Sequence, residues 1–328
     1  MPTDKALTVQ RTTAGWRLHG AGCEPANAFL ERIELRGLAE GSMRTYAFDL
    51  LNLTRWLNHQ GLAPAAVTRE DFFAFLKDHR GRLKAVTLNR QLRLLQRWAT
   101  SERPPIAGGV RRRRARARAQ DPLPSVREAQ VIRRPLTDQQ TRRMLEGFRT
   151  HRDRAMAGLM WALGLRVGEV LALTLPDLDW EHATILVHGK GRRERSLPLL
   201  AQVSGLIRRY LEWERPKNAD ERLFVVLKGP RRGRPLTYAG ARRLFRYYRG
   251  QLQIPEAHPH RFRHTFAANM VRQGLSLPML MRLMGHTWIS TTVRYVHFDD
   301  RELREHYEKA LARLNAADPA GGQRPAVL

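Results

Sequence analysis

The chain has 328 residues, enough for two domains of ordinary size that bury their cores without disulfide bonds. Its 58 basic and 31 acidic residues give a formal charge of +27, which favours a polyanionic partner, nucleic acid first and an anionic membrane second. A single cysteine, Cys23, excludes a disulfide framework and a cysteine-type zinc finger, and we expect it to be an inert thiol. Neither a signal segment nor an apolar run of about 18 residues is visible, so a soluble intracellular protein is expected.

The N-terminal part of the chain has the pattern of a small helical bundle. Residues 1–23 show no regular period and are expected to form a loose arm. From Ala26 onward apolar residues recur at helical spacing, and Thr68 with Asp71 resembles a capping pair at a helix start. The positions predicted to face the core are Phe29, Leu30, Ile33, Tyr46, Leu50, Leu53, Leu57, Phe72, Phe75, Leu76, Leu88, Leu92, Leu95 and Trp98. The pattern predicts a bundle of four helices over residues 24–104.

A strongly basic segment follows the bundle. Pro104 and Pro105 end the last helix, and residues 105–135 contain nine basic and two acidic residues. Six arginines are concentrated within it: Arg111, Arg112, Arg113, Arg114, Arg116 and Arg118. Such a charge run is commonly a solvated or disordered segment. Because this one lies between two folded parts, we interpret it as a linker whose arginines bind a phosphate backbone.

The remaining residues predict a second domain at 136–316, mainly helical with a small antiparallel sheet, and a tail at 317–328. Thr137 and Asp138 are typical of a helix start. Helices are predicted over 138–148, 152–164, 168–174, 199–214, 238–250, 260–273, 276–284 and 299–314. Residues 184–187 and 194–197 have the composition of two strands joined by a turn, and residues 223–227 form a third candidate strand.

Two segments of this domain place a cation beside glycines. Arg166 follows an apolar helix that ends at Gly164, where the helix dipole alone would favour a cation. Lys190 stands between Gly189 and Gly191 at the predicted hairpin tip, which makes it mobile and exposed. Turn chemistry alone also explains these glycines, and their spacing does not match a phosphate-binding P-loop.

A third segment begins a predicted helix at Pro259. His260 and Arg263 are three residues apart and therefore share a helix face. His260 and His264 have the spacing of a zinc-binding pair. We nevertheless expect no metal site, because the helix lacks the glutamate of a zinc protease and its arginines disfavour a dication.

A fourth segment, residues 283–297, places Tyr295 nine residues after His286. A tyrosine in such a stretch is commonly a half-buried packing residue. With the other segments it supports a different interpretation, since two arginines, two histidines and a lysine suit a phosphodiester transition state. Paired guanidinium groups stabilise its spread negative charge without a metal, and a histidine transfers protons near neutral pH. A tyrosine whose pKa is lowered by cations can serve as the nucleophile.

On these motifs the chain resembles the tyrosine recombinase (phage integrase) family, which includes the Xer recombinases of bacteria. Residues 283–297 closely match the final box of the family, and the order and spacing of the other three segments agree. The bundle at 24–104 resembles the core-binding domain of the family, so the resemblance covers most of the chain. It implies a fold with an N-terminal helical, DNA-binding bundle and a C-terminal α+β catalytic domain.

The resemblance implies roles for three charged residues around the phosphate. Arg166 and Arg263 match the pair that clamps it, and Glu169 matches an acidic position that supports the active site. Two neighbouring positions depart from the usual pattern, because Gly168 replaces a common serine and Phe262 replaces a common leucine. Neither of these positions carries a reacting group.

The same resemblance implies the residues that move protons and form the covalent bond. Lys190 matches the hairpin lysine that acts as general acid toward the leaving 5′-oxygen. His260 matches the general base or proton shuttle, and His286 the second imidazole bonded to the phosphate. Tyr295 matches the nucleophile.

The resemblance thus implies a site-specific recombinase that cleaves and rejoins double-stranded DNA at core sites. Its intermediates would be a covalent 3′-phosphotyrosyl link and a Holliday junction, with no cofactor or metal. The active assembly would be a homo-tetramer or mixed tetramer on paired sites, with an accessory DNA-binding protein in some systems and no membrane partner. We expect a cytoplasmic, nucleoid-associated protein.

Integration or excision, transposon resolution and replicon-dimer resolution all remain open as the biological outcome. Three other functions are alternatives to recombination. A type IB topoisomerase and a telomere resolvase use related chemistry, and an inactive DNA-binding protein would keep the fold alone. The compact two-domain layout favours a recombinase over the first two, and the presence of all six expected reacting residues argues against the third.

Overall fold

The computed structural model describes residues 7–103, 124–128, 134–189, 193–285, 304 and 307–308. The chain forms two compact units, Met1–Ile132 and Arg133–Leu328. Across the described ranges, no helix is long and apolar enough to span a bilayer.

The N-terminal unit is a helical bundle preceded by a β-hairpin. Its strands are β1 (Thr8–Thr12) and β2 (Gly15–His19), and its helices are α1 (Glu24–Glu34), α2 (Glu40–Gln60), α3 (Arg69–His79) and α4 (Ala85–Glu102), with a 3₁₀ turn at Pro64–Ala66. The apolar faces of the helices form one core, in which Leu30, Leu50 and Leu95 are fully buried. The predicted capping pair is confirmed, because the Thr68 N–H donates to Asp71 Oδ2 at 2.7 Å. The predicted bundle is therefore present.

The N-terminal hairpin was not expected from the sequence. Its strands pair antiparallel from Thr8 opposite His19, and the side chain of Asn27 in α1 bonds both backbone groups of Leu18, at 2.8 and 2.9 Å. Leu18 is 2% exposed, so the hairpin is part of the core and is not an irregular arm. The signal in the sequence was short, because each strand has only five residues, although Val9, Trp16 and Leu18 alternate with polar residues and pack in the core.

Cys23 lies directly before α1, where its side chain is only 3% exposed. Burial, helped by the negative charge of Glu24, raises the pKa of its thiol. A buried, protonated thiol is a poor nucleophile, which agrees with the predicted inert cysteine.

Part of the predicted linker is attached to the N-terminal unit. The side chain of Asn89 in α4 accepts a hydrogen bond from the Val126 N–H and donates one to the Val126 carbonyl, both at 2.9 Å. Its Nδ2 also donates to Glu128 Oε1 at 2.9 Å. Residues 124–128 are therefore held on the bundle. The arginine run from Arg111 to Arg118 lies outside the described residues.

The C-terminal unit is mainly helical and carries a three-stranded antiparallel sheet. In chain order its elements are α5 (Asp138–Gly147), α6 (His151–Ala162), α7 (Val167–Ala172), β3 (Leu178–Asp179), β4 (Thr184–His188), β5 (Glu194–Pro198), α8 (Ala201–Trp213), α9 (Tyr238–Gln251), α10 (Pro259–Arg272) and α11 (Leu277–Met284). Helix α6 packs against α8 and α10, and its Ala155, Met156 and Leu159 are at most 1% exposed. The core of this unit is therefore built around α6, and the segment after it leads into α7.

The sheet has the order β3-β4-β5, with Val187 opposite Arg195 and His188 opposite Glu194. The predicted hairpin between β4 and β5 is confirmed. The predicted third strand at 223–227 is wrong, because those residues form only one isolated bridge, from Val225 to Pro235, and the third strand is β3. Leu223, Phe224 and Val225 are fully buried in an irregular segment of the core. A short apolar run predicts burial, but it does not distinguish a buried strand from a buried irregular segment.

Candidate active site

Arg166 and Glu169 form the start of α7. Arg166 is the N-cap residue of this helix, and its side chain bonds Glu169. It therefore does not play the role that the helix dipole of α6 alone would have given it, which was to stabilise the end of that helix. Its backbone N–H donates to Glu169 Oε2 at 2.8 Å, and its Nη1 donates to Glu169 Oε1 at 2.7 Å. The Arg166 side chain is 37% exposed whereas that of Glu169 is 6% exposed. A buried carboxylate therefore orients a guanidinium that remains open to solvent.

Arg263 approaches the same carboxylate from α10. Its Nη1 lies 3.7 Å from Glu169 Oε2 and donates to the Gly164 carbonyl at 2.5 Å. Its Nη2 donates to the Met284 carbonyl at 2.8 Å. The structure thus brings Arg263 to Arg166 and Glu169, which lie far from it in the sequence.

The carboxyl end of α11 closes the site. Arg166 Nη1 lies 3.3 Å from the Met284 carbonyl and its Nη2 lies 3.5 Å from the Gly285 carbonyl. Gly285 adopts φ of +61°, the left-handed conformation that commonly ends a helix. The last carbonyls of a helix lack partners within it and carry partial negative charge, which guanidinium groups offset. These contacts hold the backbone that leads directly into His286.

Sequence reasoning missed Arg195, the third arginine of the site. From β5 it donates to both oxygens of Glu169, at 3.3 and 3.0 Å, and its Nε donates to the Leu283 carbonyl at 2.8 Å. Its side chain is only 12% exposed. The available signal was strand alternation, since Arg195 and the buried Leu197 share a face of β5.

The electrostatics of the cluster favour an anionic ligand. Burial disfavours ionisation of Glu169, but hydrogen bonds from Arg195 and from the Arg166 backbone N–H outweigh it. Together with the charges of Arg195 and Arg263, they hold the pKa of Glu169 below its ordinary value. Three guanidinium groups around one ionised carboxylate leave an excess of positive charge, which suits a phosphate diester.

His260 lies in the first turn of α10, one turn before Arg263, and its side chain is exposed. It borders a shallow cavity, to which α9 contributes Tyr238, Arg242, Arg246 and Arg249. An exposed imidazole beside a basic groove is positioned for proton transfer to a bound polyanion. Within the described ranges, no cluster of three or more His, Cys, Asp or Glu side chains is placed to bind a metal.

Three predicted site residues, Lys190, His286 and Tyr295, lie outside the described residues. The described chain reaches Gly189 on one side of the hairpin turn and Gly285 at the end of α11. Most of the predicted helix at 299–314 and all of the tail at 317–328 also lie outside the described part.

Comparisons with known proteins agree with this arrangement. Residues 134–302 match the model of the phage integrase family, and residues 26–103 match that of the phage integrase N-terminal SAM-like domain. Among curated relatives, tyrosine recombinase XerC of Staphylococcus epidermidis is 27% identical over 291 residues, covering 86% of this chain and 95% of that protein. XerC of Staphylococcus aureus is 27% identical over 293 residues, covering 87% and 96%.

Solved structures share the fold. One is the XerH site-specific recombinase bound to a palindromic difH substrate in a post-cleavage complex, with TM-score 0.66 and 20% identity over 88% of this chain and 85% of that one. Another is the Tn1549 transposon integrase in complex with transposon right end DNA, with TM-score 0.64 and 18% identity over 88% and 99%. The predicted fold class is thereby confirmed. Because a single family model matches more than half of the chain, this protein belongs to the phage integrase family, and it is a tyrosine-type site-specific recombinase.

Proposed function

We propose that the enzyme cuts DNA by attack of Tyr295 on a backbone phosphate held by Arg166 and Arg263. The tyrosine oxygen bonds to phosphorus as the bond to the 5′-oxygen breaks, which leaves a 3′-phosphotyrosyl ester and a free 5′-hydroxyl. That hydroxyl then attacks the ester on a partner duplex, and two such exchanges form and resolve a Holliday junction. The ester retains the energy of the broken bond, so the cycle requires no cofactor or metal.

The observation that carries this proposal is the convergence of Arg166 and Arg263 on the buried Glu169. Each guanidinium is fixed by backbone carbonyls as well as by the carboxylate, so little reorganisation is needed when negative charge develops on the phosphate. Preorganised donors of this kind stabilise a transition state more than a flexible surface arginine does.

The remaining roles follow the family resemblance. Lys190 donates a proton to the leaving 5′-oxygen, and His260 accepts or relays the proton of the tyrosine. His286 follows α11 directly, and its imidazole is proposed to bond the phosphate. The anchored carbonyls of Met284 and Gly285 support this placement, because they restrain the backbone that precedes His286.

The assembly that we propose is a tetramer on two paired core sites, made of this chain alone or with a second recombinase. Both units would contact the duplex, with the arginines of the linker along the phosphate backbone. An accessory DNA-binding protein would set the order of events in systems that need one. The curated relatives described above are bacterial, and we infer a cytoplasmic enzyme that acts at the nucleoid.

Tyr295→Phe tests the proposed nucleophile. The variant should bind duplex DNA normally but yield no covalent adduct with a nicked suicide substrate, because only the phenol oxygen is removed. Tyr307→Phe is the matched control, since Tyr307 is 64% exposed and should be dispensable for adduct formation. A normal adduct yield from Tyr295→Phe would refute the mechanism.

A second assay separates recombination from its chemical relatives. Two plasmid-borne core sites should exchange strands with the wild-type enzyme, with Holliday junctions visible on native gels. Relaxation of a single supercoiled plasmid without exchange would instead indicate a topoisomerase. The sequence of the DNA beside the gene then distinguishes outcomes, since a neighbouring transposase gene would indicate a mobile element.

A further inference from the structure

His188 forms a bridge at the base of the hairpin between β4 and β5. It is the last residue of β4, and it lies two positions before Lys190. Its Nε2 lies 2.8 Å from Asp177 Oδ1, and its Nδ1 lies 3.0 Å from Glu194 Oε1. Each nitrogen of the ring therefore faces a carboxylate oxygen.

This geometry defines the protonation state of the ring. Ionised carboxylates only accept hydrogen bonds, and a neutral imidazole carries only one N–H. Both contacts can be hydrogen bonds at once only when His188 is an imidazolium. In agreement, the hydrogen bond with Asp177, joined by the one with Glu194 and opposed by burial, raises the pKa of His188.

Asp177 gives the bridge a rigid support. This residue is 8% exposed, and its Oδ2 accepts hydrogen bonds from the backbone N–H and the hydroxyl of Thr174, both at 2.8 Å. Its backbone carbonyl accepts from the Leu186 N–H at 2.9 Å. Because Oδ2 is already used by Thr174, Oδ1 is the oxygen that remains for His188.

Glu194 completes the bridge from the returning strand. His188 and Glu194 are the last directly opposed pair of the β4–β5 ladder before the turn. One residue further, the Gly189 N–H donates to the Arg193 carbonyl at 2.6 Å. On the opposite face of β5, Arg195 is bonded to Glu169, so both faces of the hairpin base are tied to the unit.

We propose that His188 is a positioning residue that, as an imidazolium between Asp177 and Glu194, sets the place from which Lys190 protonates the leaving 5′-oxygen. The inference rests on the general-acid role proposed above for Lys190. A general acid must lie within hydrogen-bond reach of the atom that it protonates, so a displaced hairpin base would slow only this step. His188 itself does not touch the DNA in this scheme.

The test compares the full-length His188→Gln variant with Lys190→Ala and with the double variant. His182→Gln is the matched control, because His182 forms a similar pair with Asp179 at 2.8 Å in the turn between β3 and β4, at the other end of β4 from His188. Rates of covalent adduct formation are measured on a nicked suicide duplex. They are measured again on a duplex with sulfur at the bridging 5′ position, which leaves without protonation.

His188→Gln should slow adduct formation on ordinary DNA by about 10- to 100-fold, the range expected for a misplaced catalytic group. It should proceed near the wild-type rate on the sulfur duplex, which also shows that the variant is folded. In the Lys190→Ala variant, adding His188→Gln should not slow adduct formation further, because both substitutions remove the same contribution to the rate. His182→Gln should match wild type on both duplexes.

Three results would overturn the inference about His188 while leaving the role of Lys190 intact, provided that Lys190→Ala is rescued by sulfur. The first is equal slowing of His188→Gln on the two duplexes, and the second is a further loss of rate in the double variant. The third is a wild-type rate for His188→Gln on ordinary DNA. If Lys190→Ala itself is not rescued, the general-acid role fails and the inference about His188 fails with it.

Discussion

Arg195 of β5 and Glu169 of α7 are joined by two hydrogen bonds, from Nη2 to Oε2 at 3.0 Å and from Nη1 to Oε1 at 3.3 Å. The positive charge of Arg195 offsets the negative charge of Glu169, which would otherwise be offset by Arg166 and Arg263 alone. Arg195 also bonds the Leu283 carbonyl, so one side chain connects the hairpin, α7 and the end of α11. We expect Arg195 to support catalysis by keeping the other two arginines available for phosphate.

We predict that Arg195→Gln lowers both stability and activity. Loss of the buried partner of Glu169 should reduce the free energy of unfolding by about 1–3 kcal/mol, measured by urea denaturation. Adduct formation should slow as well, because Arg166 is drawn more tightly to Glu169. Arg209→Gln on the exposed side of α8 is the control and should change neither. Wild-type stability together with a wild-type rate in Arg195→Gln would contradict this role.

The lowered pKa of Glu169 predicts a specific pH dependence of stability. A carboxyl whose pKa is lowered by folding contributes stability above its ordinary value of 4.5 and loses it as pH falls through its folded value. The gap in unfolding free energy between wild type and Glu169→Gln should therefore be large at pH 7 and shrink in acid. Urea titrations at several pH values measure it, with the exposed Glu146→Gln as control. A gap that stays constant below pH 4.5 would argue against this linkage.

Gly164 should not tolerate a side chain. Its φ is +64°, and a Cβ there would lie 2.4 Å from Cδ1 of Phe266. We expect Gly164→Ala to destabilise the unit by about 1–3 kcal/mol and to shift the carbonyl that holds Arg263. Gly168→Ala in α7 is the matched control, since nothing lies within 4 Å of its Cβ position and it should be neutral or stabilising. Thermal unfolding of the two variants compares them directly, and equal effects would refute the steric argument.

The arginine run of the linker should contribute to DNA affinity without reading sequence. A variant in which Arg111, Arg112, Arg113, Arg114, Arg116 and Arg118 are all glutamine tests this. Each phosphate contact contributes about 0.9 to the slope of log affinity against log salt, so if half of the six touch DNA the slope should fall by about 3. Preference for the core site over a scrambled duplex should persist, because phosphate contacts carry no base information. An unchanged slope would show that the run is only a solvated spacer.

Much of the fold was predictable because its signals are local. Leu50 and Leu53 recur at helical spacing, and the glycines between β4 and β5 mark a turn, so these elements followed from a few neighbouring residues. The N-terminal hairpin escaped because its strands have only five residues each, so that Trp16 and Leu18 give a short alternation, and because the contact of Asn27 with Leu18 is tertiary. The third strand was misplaced because a buried irregular segment, such as the one that contains Phe224, is as apolar in sequence as a buried strand.

The site was predictable in its residue types but not in its geometry. Arg166, Glu169 and Arg263 were recognisable from their motifs, whereas the bonds that join Glu169 to Arg195 became visible only when α7, α10 and β5 were placed together. Arg195 looked like one more cation in a basic chain. Its buried position distinguishes it, and burial of a charged side chain depends on partners distant in sequence.

The burial of Cys23 allows a dye to be attached selectively to a second cysteine introduced on the surface. It is the single cysteine of the sequence, it is 3% exposed, and its thiol is held protonated. A cysteine introduced at an exposed site such as Met279 would therefore react selectively with a maleimide dye under native conditions. Donor and acceptor dyes on separate copies would then report the moment at which two DNA-bound copies meet, with the native Cys23 left in place.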